Sequence, residues 1–310
     1  MAEIPPIRIG TRGSPLALFQ ARLVAEKLAA RHPALVAPGA LVVTPIKTTG
    51  DRVLDRPLAE IGGKGLFSKE IDEALKSRRV DLAVHSVKDM ETRLADGIAL
   101  AAVLAREDPR DVFVSVKAAT LEALPEGSVV GSSSLRRRAQ LLNRRPDLRV
   151  VAMRGNVETR LRKLDDGALD AILLALAGLK RLGLAQRATE ILATDAMLPA
   201  VGQGAIGVAC RADDARTRDL LVVLDHAPTA ACVAAERAML AALDGSCRTP
   251  IGGLAEIEDA DVLVLRGLVA RPDGSGLLRT SRQGRARDAE ALGRDAGEEL
   301  KRRAGPGYFA

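Results

Sequence analysis

Val129-Val-Gly-Ser-Ser-Ser-Leu-Arg-Arg137 runs from β-branched residues through a glycine and three serines into a helix-forming segment. Paired valines favour a strand, and a serine before Leu135 is a helix N-cap. A strand turning straight into a helix is the repeating step of an α/β sheet. The same step recurs on either side. Val112-Phe-Val-Ser115 reads as a strand, Arg149 to Met153 as another, then a helix from Val157 and a strand from Ala171 to Leu174. Nearer the N-terminus, Ile7 to Gly10 is a strand, and Leu16 to Ala30 is a helix opened by Ser14 as cap and Pro15 at its first position. Leu41 to Lys47, Val80 to Val84 and Ile98 to Leu104 are further strands, and Phe67 to Lys76 has helical spacing. Arg106-Glu-Asp-Pro-Arg-Asp111 and Leu198-Pro-Ala-Val-Gly-Gln-Gly204 read as crossings between two lobes.

Beyond about residue 225 the order changes to a helix (Thr229 to Leu243), strands near Leu254 to Ile257 and Val262 to Val269, and a charged helix from Ala286 to Arg302. The expected organisation is α/β, with lobe 1 at residues 1–105 completed by about 204–224, lobe 2 at 110–199, and a smaller α+β domain at 225–310. A strand-like Ala205-Ile-Gly-Val-Ala-Cys210 follows the second crossing, and no strong internal repeat stands out.

The 310 residues suffice for two or three cores, and 47% hydrophobic with 28% charged residues is an ordinary globular balance. No apolar run approaches the ~20 residues that cross a bilayer. Met1-Ala-Glu-Ile-Pro-Pro6 has neither basic nor apolar signal-peptide regions. Cys210, Cys232 and Cys247 include no Cys-x-x-Cys pair, which fits a reducing compartment. A cytoplasmic protein without membrane contact is expected. The net charge is +6, yet Gly131 to Lys163 alone holds nine arginines and one lysine against Asp147 and Glu158. A basic excess confined to one segment points to a pocket for a small polyanion. Nucleic acid ranks behind, because single-strand binders need stacking platforms and this chain has no Trp, one Tyr and four Phe.

Four polar clusters sit where strands turn into helices: Thr11-Arg-Gly-Ser14, His85-Ser-Val-Lys-Asp89, Gly131-Ser-Ser-Ser-Leu-Arg-Arg137 and Arg154-Gly-Asn-Val-Glu-Thr-Arg160. Ligands of open α/β sheets bind at these carboxyl ends, where helix N–H groups, serine hydroxyls and arginine forks suit anions. Any one cluster is as well explained as an ordinary cap with solvated arginines; four together favour a site. Asp89 is an acid in a basic setting beside Lys88, placed to stabilise a developing positive charge or relay a proton; the alternative is a surface ion pair of little consequence. Cys247, in a glycine-rich loop beside Arg248, is the reactive-thiol candidate, whereas Cys210 and Cys232 read as small core hydrophobes. Gly202-Gln-Gly-Ala-Ile-Gly207 matches the dinucleotide fingerprint only in letters, since a strand-like run follows where a helix is required. Gly62-Gly-Lys-Gly-Leu-Phe67 lacks Walker spacing, and His32, His85 and His226 lack metal-ligand spacing, so no metal is expected.

Thr11-Arg-Gly-Ser-Pro-Leu-Ala17, Gly62-Gly-Lys-Gly-Leu-Phe67, Ala83-Val-His-Ser-Val-Lys-Asp89, Ser133-Ser-Leu-Arg-Arg137, Arg154-Gly-Asn-Val-Glu-Thr-Arg-Leu161, Leu198-Pro-Ala-Val-Gly-Gln-Gly-Ala205 and Gly245-Ser-Cys-Arg-Thr-Pro-Ile-Gly252 follow one another along nearly the whole chain. In that order they resemble the porphobilinogen deaminase (hydroxymethylbilane synthase) family. The resemblance implies two periplasmic-binding-protein-like (type II) lobes with mixed sheets and a third domain bearing a cysteine. It implies a monomeric transferase that deaminates four porphobilinogen molecules and condenses them head to tail on a dipyrromethane cofactor. A thioether to Cys247 would hold that cofactor, and water would release hydroxymethylbilane. Asp89, Lys88 and Arg12 match the family's catalytic positions. Lys64, Ser86, Lys88, Asp89, Ser133, Arg136 and Arg137 match cofactor-binding positions, and Arg12, Ser14, Arg154, Arg160, Arg181 and Gln203 match substrate-carboxylate positions. Arg138, Arg144, Arg145 and Arg149 read as ordinary surface charge. Glu91 stands where the family usually has proline, and Ser132 where threonine is common. A bilobed carboxylate-binding protein without chemistry is the main rival, and a basic nucleic-acid binder the weaker one.

Overall fold

The computed structural model describes residues 5–52, 65–246, 249–259 and 261–308. Its strands are β1 (Ile7–Arg12), β2 (Leu41–Ile46), β3 (Leu82–Ser86), β4 (Ile98–Val103), β5 (Asp111–Ser115), β6 (Val129–Gly131), β7 (Arg149–Val151), β8 (Ala171–Ala175), β9 (Glu190–Ile191), β10 (Ile206–Arg211), β11 (Ile251–Glu258), β12 (Val262–Ala270) and β13 (Leu277–Arg285). Its helices are α1 (Pro15–Arg31), α2 (Thr49–Arg52), α3 (Lys69–Lys76), α4 (Leu135–Arg144), α5 (Val157–Asp165), α6 (Leu176–Arg181), α7 (Ala215–Leu221), α8 (Ala227–Ala242) and α9 (Ala289–Ala304). The described residues fall into two units, one holding 5–52, 65–106 and 205–230, the other 107–204 and 231–308.

The first unit is built on a sheet ordered β2-β1-β3-β10-β4. β1 pairs parallel with β2 and β3, and β10 runs antiparallel between β3 and β4. Ala21, Val24 and Leu28 recur at helical spacing on the buried face of α1 and join Ile7, Ile9, Val84 and Val208 in one core. That packing fixes the loop between β1 and α1, which carries Arg12 to Ser14, at the carboxyl edge of the sheet.

The second unit holds a sheet ordered β7-β6-β8-β5-β9, with β6 parallel to β7 and β8 and β5 antiparallel between β8 and β9. Alternation along the strands fills both faces. Val112, Val114, Ile172 and Leu174 meet Leu161 and Leu164 of α5, while Phe113, Ala171 and Leu173 meet Leu141 of α4. The two sheets share one order. In each, the reversed strand (β10 or β5) is the one that enters directly after a crossing segment. The same unit contains the antiparallel sheet β11-β12-β13. Leu254, Leu268 and Ala270 of that sheet pack on Ala139 of α4 and on Leu198, and Asn143 Nδ2 donates to the Gly274 carbonyl at 2.9 Å.

The expected α/β architecture, with mixed sheets and a smaller C-terminal α+β portion, is realised. β13 was not anticipated from the sequence, because Arg279, Ser281 and Gln283 alternate with half-buried residues on a polar strand. No helix among the described residues is long and apolar enough to cross a membrane.

α9 lies against α8 through glycine. A Cβ on Gly293 would sit 2.1 Å from the Ala235 carbonyl oxygen and 2.8 Å from Ala238 Cβ. Helix propensity alone makes Gly293→Ala stabilising by about 1 kcal/mol. Overpacking against a backbone carbonyl reverses the sign, so the variant is expected to lose about 1–3 kcal/mol in a denaturant melt.

Candidate active site

Parallel pairing of Ile9 with Leu82 and Gly10 with Ala83 carries Arg12 and His85 to the same end of the first unit's sheet. A short 3-10 turn at Val87–Asp89 follows β3, which leaves Lys88 half-buried and Asp89 exposed at that edge. His85 is buried, and burial lowers its pKa to about 4; Asp89 opposes the drop and Arg12 adds to it. The imidazole is neutral at pH 7. Ser86 Oγ accepts from buried Gln20 Nε2 at 2.8 Å. Ser14 Oγ accepts the Ala17 N–H at 3.3 Å and caps α1. Arg12 itself is gripped by Asp51.

In the second unit, Ser133 Oγ donates to the Met153 carbonyl at 2.6 Å and accepts the Met153 N–H at 2.9 Å, clasping the mouths of β6 and β7 together. Ser134 Oγ caps α4 through the Arg137 N–H at 3.4 Å, and Asn156 Oδ1 caps α5 through the Thr159 N–H at 2.9 Å. Arg136 and Arg137, on the first turn of α4, point inward to the wholly buried Asp111. Arg136 Nη1 lies 2.7 Å from Oδ2, and Arg137 Nη2 and Nε lie 2.7 and 3.1 Å from Oδ1. Gln203 Nε2 donates to that same Oδ1 at 2.8 Å, and the Leu198 and Leu173 carbonyls accept further bonds from Arg136 and Arg137. Burial pushes the Asp111 carboxyl up, but the two guanidiniums outweigh it and hold it far below the usual range. Arg160 Nε donates to the Gly155 carbonyl at 2.9 Å, Arg181 Nη2 to the Gly204 carbonyl at 2.6 Å, and Arg154 is half-buried just beyond β7.

Two family descriptions match the chain: "Porphobilinogen deaminase, dipyromethane cofactor binding domain" over residues 7–219 and "Porphobilinogen deaminase, C-terminal domain" over residues 230–302. The porphobilinogen deaminase of Paracoccus denitrificans is 56% identical, covering 100% of this chain and 99% of its own. The chloroplastic porphobilinogen deaminases of Oryza sativa and Pisum sativum are 54% and 55% identical, covering 99% and 98% of this chain and 87% and 83% of theirs. The chain belongs to the porphobilinogen deaminase family. Among solved structures, a periplasmic substrate-binding protein of an ABC transporter from Coxiella burnetii overlaps at TM-score 0.44 with 18% identity, covering 74% of this chain and 96% of that one.

A porphobilinogen deaminase needs anion donors for dipyrromethane, and the residues present fit. Arg136 Nε is buried and has no hydrogen-bond partner among the described residues, so a cofactor carboxylate would satisfy a charged donor that is otherwise stranded. Cys247 and Lys64 lie outside the described residues. Arg136 and Arg137 are internal partners of Asp111, because an ionised carboxylate so deep must be paired. Ser133 is not a free donor, since its hydroxyl donates to the Met153 carbonyl, whereas Ser14 caps α1 as an acceptor. Arg145 is no plain surface charge either, as it bonds Asp147 and the carbonyls of Leu121, Glu122 and Leu124. Asp111 escaped the sequence reading although its place beside a crossing, among Arg106, Glu107, Asp108 and Arg110, was a cue. Glu91, in place of the family's proline, accepts the Gly65 N–H and so anchors the turn after Asp89 by a bond instead of a ring.

His85 makes stability pH-dependent. Below pH 6.5 the unfolded chain takes up a proton that the folded chain refuses until about pH 4, so acid favours unfolding across that window. Replacing His85 by Gln is expected to flatten the fall in unfolding free energy between pH 7 and 4.5 by about 2–3 kcal/mol, read from denaturant titrations at both pH values.

Proposed function

We propose that this chain makes hydroxymethylbilane: it deaminates porphobilinogen, condenses four molecules head to tail on dipyrromethane held at Cys247, and releases the linear tetrapyrrole with water. One observation carries the reading, the match of both family domains across residues 7–219 and 230–302. When bound, dipyrromethane supplies the pyrrole α-carbon that receives the first unit.

Porphobilinogen must lose ammonia before a carbon can attack it, and its pyrrole nitrogen turns cationic as it does so. Asp89, exposed at the sheet edge, sets a carboxylate against that charge, and preorganised opposite charge lowers the barrier. Lys88 gives a proton to the departing amine, and Asp89 carries off the α-carbon proton once the new C–C bond has formed. Arg12 holds a substrate carboxylate in the first unit; Arg154, Arg160 and Arg181 do so in the second, each well-made bond contributing ~1.5–3 kcal/mol. Arg136, through its unsatisfied Nε, and Arg137 take cofactor carboxylates, a role the family motifs give also to Lys64, Ser86 and Ser133. Ser14 keeps its O–H donor for a substrate carboxylate while it caps α1, and Gln203 acts by holding Asp111 in place.

The chain is read as three domains, 1–105 with about 204–224, 110–199, and 225–310. It works as a cytoplasmic monomer without nucleic acid, a reading supported by three cysteines that include no Cys-x-x-Cys pair and by an aromatic content of 2%.

The intact mass of the purified protein is expected to exceed the sequence mass by two deaminated porphobilinogen units, and the excess should vanish in Cys247→Ser from the same host. A wild-type mass that stays bare after incubation with porphobilinogen or hydroxymethylbilane would sink the reading. Asp89→Ala is expected to keep the added mass and lose at least ~10²-fold in turnover of porphobilinogen, as for other preorganised electrostatic groups.

A further inference from the structure

Arg12 reaches the end of β1 with its guanidinium fixed from two sides. Its Nε lies 3.2 and 3.3 Å from the two carboxylate oxygens of Asp51, and its Nη2 donates to Oδ1, a side-on grip. The ring of Phe67 covers the guanidinium face, with Cζ 4.1 Å from the ring centre. The four residues Thr48-Thr-Gly-Asp51, just beyond β2, all take part in holding this arrangement. Buried Thr48 donates its hydroxyl to Asp51 Oδ2 at 2.7 Å. Thr49 donates its N–H to Glu70 Oε1 at 2.9 Å, fixing the turn to α3. The Gly50 N–H donates to the Leu66 carbonyl at 2.7 Å, and a Cβ on Gly50 would lie 2.2 to 2.7 Å from three ring carbons of Phe67. Only glycine leaves room for the ring where it lies.

A guanidinium has five N–H donors in a rigid fork. Asp51 takes Nε and one side of Nη2, and Phe67 takes a face. Nη1 keeps no hydrogen-bond partner among the described residues, so the end-on edge, the one that binds a carboxylate in a fork, is presented in a single orientation. Arg12 and Asp51 side chains are 24% and 23% exposed, deep enough to be held and open enough to be reached. The arrangement differs from a solvated ion pair, which would leave the arginine free to swing.

We infer that Asp51, supported by Thr48 and by the Phe67 ring seated over Gly50, is a positioning residue that aims Arg12 at a substrate carboxylate. The inference rests on the role given to Arg12 above. It makes Asp51 and Phe67 act through Arg12 and never on the substrate.

Steady-state kinetics with porphobilinogen on the cofactor-loaded enzyme test this. Asp51→Asn is expected to raise KM roughly tenfold while kcat moves only a few-fold, with intact mass unchanged; misaimed groups elsewhere lose up to ~10². Phe67→Leu frees the guanidinium face without touching the ion pair and is expected to raise KM in the same sense should Asp51→Asn fold poorly. Arg12→Lys keeps the charge but cannot take the side-on grip. Its KM is expected to rise likewise, and adding Asp51→Asn to it should change kcat/KM less than twofold. Wild-type KM in Asp51→Asn, or an undiminished effect of Asp51→Asn on top of Arg12→Lys, overturns the inference. So does an Arg12→Lys enzyme with normal kinetics, which would leave Arg12 as a plain cation. Normal kinetics in Arg12→Leu would go further and remove Arg12 from the site altogether.

Discussion

The carboxylate of Asp111, fully buried between the guanidiniums of Arg136 and Arg137, constrains the second unit more than any other contact. A lone carboxylate at that depth would protonate or unfold its surroundings, and breaking such a pair by removing one partner costs about 3–5 kcal/mol. Two cations around one anion leave an excess positive charge inside the protein. The surroundings answer it with oxygen: the Leu198 carbonyl accepts from Arg136 and Gln140, and the Leu173 carbonyl accepts from Arg137. The second crossing segment is held in place by the same demand, since Gln203 bonds both Asp111 and the Pro109 carbonyl. Among the described residues the buried Arg136 Nε is left without a protein oxygen, and an acidic ligand is the chemical species that completes it.

Much of the fold was legible because it follows from short-range rules. Ser14, Ser134 and Asn156 cap α1, α4 and α5 through the bonds their positions suggest. Valine-rich runs became strands, and the fingerprint-like Gly202 to Gly207 became a turn leading into β10, where the strand-like residues outweighed the letter match. Sheet order was not legible. That β5 and β10 run against their neighbours depends on pairings across tens to more than a hundred residues, such as Val208 with Val84, and no residue of either strand announces its direction. β13 was invisible for a local reason: it buries little, so its apolar alternation never forms.

The site was legible in residue type and not in partnership. Arg136 and Arg137 read as open cations because their acid lies 25 and 26 residues earlier, on another strand. Asp51 went unread because Thr-Thr-Gly-Asp is ordinary turn chemistry until Arg12 and Phe67, each contributed by a different segment, close on it. Sequence marks where charges are many; the fold decides which of them remain available.

That distinction changes what the basic segment means. Of its arginines, Arg136 and Arg137 share Asp111, Arg144 meets Glu122 and Arg145 meets Asp147, so these four cations face three carboxylates within the protein. Arg138, Arg149 and Arg162 are exposed and spread over α4, β7 and α5. A surface arranged in this way lacks the concentrated unbalanced field that draws polyanions indiscriminately. Selectivity then falls to a few oriented donors, and the two acids gripping arginines show how orientation is set. Asp111, sealed from water, turns Arg136 Nη1 and Arg137 Nε and Nη2 inward and leaves the buried Arg136 Nε without a partner among the described residues. Asp51, near the surface, takes one side of Arg12 and leaves a whole edge. The acid decides which edge of the arginine is left for a ligand.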